Sequence, residues 1–177
     1  MSDQQKTMVL ALDLATVTGF AHSGGVSGSV DFSLRRGESP GMKFFEFRNW
    51  LQRFLYEHPT QIIVYEQSGH QRSNAATHSA HGLIATLELV ATEKSIELTN
   101  RSPSEIKIHA LPEIPGRERT KPRMIQAADN KWPGVDFVDD NHADALHLLD
   151  LVEQQLGLDY GQYEDRPEMF RSFFGCD

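Results

Sequence analysis

Four carboxylates stand where a carboxylate is hard to accommodate. The run "LALDLATVTGFA", residues 10 to 21, would read as a largely buried strand were it not for Asp13, since Val9, Leu10, Ala11, Leu12 and Leu14 are all apolar. "QIIVYEQ" repeats the arrangement, a short apolar run that ends in Glu66. Asp140 and Asp144 lie near the start of "DDNHADALHLLDLVEQQLGL", in which Ala143, Leu146, Leu149, Val152 and Leu156 make one helical stripe. Their spacing of one turn puts both carboxylates on the same face of that helix. An ionised carboxyl taken out of water destabilises the fold unless something compensates it.

If the first and fourth strands are neighbours, Asp13 and Glu66 come side by side, and a helix packed on the sheet brings Asp144 against them. Carboxylates gathered in this way repel one another unless cations neutralise them. Hard oxygen donors suit magnesium, which keeps several waters and takes phosphate oxygens as further ligands. Two Mg2+ ions are therefore the expected cofactors, with Mn2+ as the expected substitute. One ion would activate a water and the other would stabilise a leaving oxygen, and the reaction implied is phosphodiester hydrolysis.

The cations tell a matching story. With 17 Lys and Arg against 25 Asp and Glu the chain carries a net charge of -8, so nucleic acid cannot be held by bulk attraction and any contact must come from a local patch. One such patch is Arg117, Arg119, Lys121 and Arg123, in "LPEIPGRERTKPR", which its three prolines and one glycine mark as an exposed basic loop over residues 111 to 123. Against the acidic background these side chains are expected to face phosphates. The polar loop from Ser68 to Asn74 directly follows Glu66. Arg72 in it is expected beside a substrate strand that enters the site.

The elements that must position these groups follow from pattern and punctuation. Residues 8–14, 18–22 and 26–34 read as an antiparallel meander of three strands separated by turns. Met42, Phe45, Trp50, Leu51, Phe54 and Leu55 recur at helical spacing up to Pro59. The Glu66 strand comes next, then a helix over Ala75 to Lys94 with more apolar surface than one face needs, a fifth strand at "SIEL", and a helix in "SPSEIKIHAL" that opens on a serine cap and a proline. Met124 to Asn130 is a further helix, followed by the one that carries Asp144. At 177 residues the chain forms one domain, residues 1–157, with residues 158–177 a tail of unassigned role. A single cysteine excludes an internal disulfide and a cysteine zinc site, "MSDQQKT" lacks the core of a signal peptide, and no apolar run spans a bilayer. The expected setting is the cytoplasm, with no membrane partner.

"LALDLATVTGFA", "IIVYEQ", "SPSEIKIHA", "GRERTKPRM" and "DDNHADALHLLD", in this order and spacing, resemble the RuvC-type Holliday junction resolvases of the ribonuclease H-like superfamily, particularly the phage-encoded members. The resemblance covers roughly residues 8 to 155. It implies an α/β fold with a central mixed five-stranded sheet flanked by helices. It further implies a homodimeric, metal-dependent endonuclease that nicks branched DNA: four-way junctions, flaps or replication intermediates. By position, Asp13, Glu66 and Asp144 match the family's acidic residues, and Lys107 and Lys121 match basic residues close to the scissile phosphate, which makes Lys121 a catalytic candidate. The family commonly has an acidic residue or a histidine three positions before its last aspartate, where this chain has Asn141 between Asp140 and His142. Asp140, Asn141 and His142 are therefore all open as the fourth metal ligand, with Asp140 the leading candidate because it brings charge. Two other classes compete with the nuclease: a catalytically silent nucleic-acid-binding or scaffold protein of the same fold, and an actin-like ATPase domain.

Overall fold

The computed structural model describes residues 6–67 and 74–166. Five strands, β1 (Val9–Asp13), β2 (Val17–His22), β3 (Val26–Asp31), β4 (Ile62–Glu66) and β5 (Glu97–Arg101), form one mixed sheet in the order β3-β2-β1-β4-β5. The meander β1-β2-β3 is antiparallel, while β4 and β5 run parallel to β1. Five helices complete the domain: α1 (Pro40–Glu57), α2 (Asn74–Glu93), α3 (Pro103–Ala110), α4 (Lys121–Lys131) and α5 (Asp140–Gln155).

Strand periodicity sorts the core into two layers. Leu10 and Leu12 of β1 and Ile63 and Tyr65 of β4 face α1 and α2, where Phe47, Leu51, Leu83 and Leu87 bury them. Val9, Ala11 and Val64 face the other way, onto Leu146, Leu149 and Val152 of α5, with Ile106 of α3 and Met124 of α4 beside them. Because side chains alternate, Asp13 and Glu66 continue the second set and project toward α5. The parallel register, with Leu12 opposite Tyr65, makes Asp13 and Glu66 the next residue on each of two adjacent strands.

Several boundaries differ from the sequence expectation: β3 ends at Asp31 rather than at residue 34, and β5 lies at Glu97–Arg101 where "SIEL" placed it at residues 95–98. Helix α4 begins at Lys121, so Lys121 and Arg123 belong to its first turn and the irregular loop ends at Thr120. Pro122 permits this, since the first turn needs no backbone N–H from it. At the other end, the packed unit does not stop at residue 157. Tyr160 and Tyr163 are buried, the Tyr160 hydroxyl donates to the carbonyl of Thr7, and Arg166 reaches both carboxylate oxygens of Glu153 at 2.9 Å. A buried glutamate on α5 requires such a partner, which comes from the segment after the helix.

Candidate active site

Asp13, Glu66 and Asp144 line one cleft of about 220 Å3 at the carboxyl ends of β1 and β4. Lys107 from α3 and Lys121 from α4 line it as well, together with Gln67 and Asn141. Asp144 reaches it because α5 lies very close to the sheet at this level: Gly19 of β2, which pairs with Asp13, leaves no room for even a Cβ beneath the backbone of Asn141. Ala11, Ala21, Ala143 and Ala145, all buried, keep the same interface thin.

The carboxylates feel one another. Burial, and then the Glu66 and Asp144 carboxylates, push the Asp13 carboxyl well above its ordinary range. Burial followed by repulsion from Asp144 pushes Glu66 up to about 7, against the pull of Lys107 and Lys121. Burial pushes Asp144 up to about 6, opposed by Lys121 and reinforced by Asp140. Asp140 goes the other way: the hydrogen bond from Lys121 holds it below the ordinary carboxylate range. These are hard oxygen donors under mutual strain of charge, the environment a divalent cation relieves. Among the described residues no three His, Cys, Asp or Glu side chains are gathered closely enough to hold an ion by themselves. The donor set nevertheless fits magnesium, which binds through one or two carboxylates and completes its shell with water and phosphate oxygens rather than with an all-protein cage.

The three candidates around position 141 have different surroundings. His142 is buried, its Nε2 2.8 Å from the Ser27 hydroxyl and its ring against Phe137, and it does not line the cleft. Asn141 lines the cleft, but its Nδ2 donates to the carbonyl of Val17 at 2.9 Å, which ties α5 to β2. Asp140 forms an ion pair with Lys121 at the rim. The cap of α5 is Asp139, whose carboxylate accepts from the His142 N–H at 2.9 Å and from the Ser29 hydroxyl at 2.6 Å. Asp140 is thus released from the capping role that its place near a helix start would suggest.

The remaining basic residues spread outward from the cleft. Arg117 is exposed in a 3-10 turn at Gly116–Glu118, Arg119 donates through Nε to the carbonyl of Leu111 at 3.1 Å, and Arg123 pairs with Glu118 at 3.0 Å. Arg72 lies outside the described residues. Helix α4 also points its N-terminus toward the cleft, so its backbone dipole adds positive potential where Lys121 already stands. Sequence reasoning missed Lys43, which donates to the hydroxyls of Thr16 and Ser79 at 2.9 Å each and so braces the turn after Asp13 against α2. Nothing near Lys43 in the chain marks that role. Asp139 carried a legible sign, an aspartate three residues before a helical N–H, but it was masked by the adjacent Asp140.

No protein-family model matches the chain, and no curated protein matches it. Solved structures do. RuvC of Thermus thermophilus in complex with a Holliday junction substrate superposes with a TM-score of 0.66 at 13% identity, over 85% of this chain and 97% of that one. A second Thermus thermophilus RuvC structure gives 0.64 at 12% identity with the same coverage. The yeast mitochondrial Holliday junction resolvase Ydc2 gives 0.61 at 12% identity, over 95% of this chain and 83% of that one. The chain therefore has the RuvC, ribonuclease H-like fold that its ordered motifs imply.

Proposed function

We propose that this protein is a magnesium-dependent endonuclease that hydrolyses phosphodiester bonds in branched DNA, with the four-way Holliday junction as its best substrate. The observation that carries the reading is the convergence of Asp13, Glu66 and Asp144 on one cleft rimmed by Lys107 and Lys121. Structural likeness to RuvC bound to a junction and to Ydc2 supports it. Asp13, Glu66 and Asp144, with Asp140 at the edge, would hold two divalent cations, which when bound supply activation of the attacking water and neutralisation of the leaving oxygen.

The chain's own groups do the rest. Lys107 and Lys121 place positive charge in the same cleft as the carboxylates, where it would meet the charge that a phosphate's free oxygens gather in the transition state. Arg117, Arg119 and Arg123 extend this potential along the loop and the start of α4, positioning the backbone without reading bases. Phe45 on α1 and Leu89 on α2 are 57% and 53% exposed, which supports assembly as a homodimer able to nick two strands of one junction. No helix among the described residues is long and apolar enough to cross a membrane.

Cleavage of a labelled four-way junction in magnesium, beside duplex, flap and fork, tests the reading. Wild type should nick the junction in preference to duplex, and Asp13→Asn should bind it without cutting. Binding without cleavage by wild type would favour the silent scaffold, ATP hydrolysis without cleavage the actin-like domain, and magnesium-dependent cutting by Asp13→Asn would remove Asp13 from the site.

A further inference from the structure

Away from the cleft, one carboxylate joins three helices. Oδ2 of Asp150, on α5, accepts hydrogen bonds from Nε2 of His109 at the end of α3 and from Nζ of Lys131 at the end of α4, both at 2.5 Å. Burial pushes the Asp150 carboxyl up, yet the hydrogen bonds from His109 and Lys131 outweigh it and hold the group below its ordinary range. Lys131 also lies over the Trp132 ring, which packs on His147, whose Nε2 meets the carbonyl of Met124 at 3.0 Å.

Each helix in this junction carries one charged residue of the cleft. Lys107 is two residues before His109 on α3, Lys121 opens the helix that Lys131 closes, and Asp144 is six residues before Asp150 on α5. Helix α3 most needs an external anchor. It has eight residues, of which only Ile106 is fully buried, with Ala110 partly buried against the same core, so apolar packing fixes its distance from α5 but resists its rotation weakly. A rotation of α3 would carry Lys107 away from the cleft, because Lys107 adjoins Ile106 on the helix.

We propose that Asp150 is a positioning residue, a clamp on two donors that sets the rotation of α3 and the register of α4 on α5 and so holds Lys107 and Lys121 over the cleft. Its effect on cleavage rests on the nuclease reading above, whereas its effect on the helices does not. A partly buried ionic junction that serves orientation more than stability has precedent in other folds.

Asp150→Asn keeps the volume and removes the charge. Single-turnover cleavage of a four-way junction at saturating enzyme should fall about tenfold, with junction Kd changed less than threefold. In a Lys121→Ala background the same substitution should cost less than threefold, because part of what Asp150 positions is already gone. Equal losses in both backgrounds would overturn the proposal, as would unchanged cleavage in the first. Amide hydrogen exchange gives an arm independent of activity: α3 should exchange faster in Asp150→Asn while β1 and β4 keep their wild-type rates, and unchanged α3 exchange would overturn the clamp. If wild type cuts no DNA the nuclease reading fails, and the exchange arm still decides the clamp. Should Asp150→Asn melt below the assay temperature, His109→Gln and Lys131→Met take its place with the same expected and overturning outcomes.

Discussion

The carbonyl oxygen of Asn141 occupies the space a side chain on Gly19 would need: a Cβ built on Gly19 would stand 2.0 Å from it. Gly19 pairs with Asp13 across the β1-β2 ladder, so this contact sets how far α5 descends at the level of the proposed site.

Gly19→Ala should therefore act on both fold and chemistry. The clash is with backbone, which cannot swing aside, and overpacking of this kind costs roughly 1–3 kcal/mol. The melting temperature should drop by about 3–10 °C. As α5 lifts, Asp144 withdraws from Asp13 and Glu66, and single-turnover cleavage of a junction should fall by more than the tenfold expected of a remote packing defect. Melting curves and cleavage rates measured on the same preparation check both parts.

Glu66 gives a pH signature that needs no substrate. Its carboxyl titrates at about 7 in the folded chain against an ordinary value of 4.5, so the folded state keeps the proton longer than the unfolded one. The stability this contributes is fully present below about pH 4.5 and is lost as pH rises toward 7. His22, His142 and His147, whose burial lowers their proton affinity, titrate in the opposite sense, so the comparison must be between wild type and a variant. In EDTA, Glu66→Gln should gain stability over wild type progressively between pH 4.5 and 7, and added magnesium should erase or reverse that gain. A constant difference across this window would show that Glu66 does not share a charged site.

Two cations should separate by role. Lys121 pairs with Asp140 beside the cleft, so Lys121→Ala should lower the cleavage rate at saturating enzyme on the order of a hundredfold, with a smaller loss of affinity. Arg117, exposed in its turn, should behave as a backbone contact. Arg117→Ala should weaken junction binding, reduce the slope of log affinity against log salt by about 0.9, and leave the saturated rate unchanged. Anisotropy titrations over a salt series, paired with single-turnover assays, measure both.

The order of strands and helices and the strand ends at which Asp13 and Glu66 stand were legible in the residues alone, because they depend on short-range periodicity and turn chemistry, whereas the limits of β3 and β5 were not. The sequence also placed Asp140 and Asp144 on one helical face, a matter of spacing alone. Only the tertiary structure decided that His142 is committed to Ser27, that Asn141 is spent partly on Val17, and that Asp139, the cap of α5, is itself held by Ser29, since those partners come from strands more than a hundred residues earlier in the chain. The start of α4 at Lys121 and the packing of Tyr160, Tyr163 and Arg166 onto the domain escaped for the same reason. A proline-rich basic run and an aromatic tail look irregular until the surfaces they meet, Asp140 for Lys121 and buried Glu153 for Arg166, are brought to them by the fold.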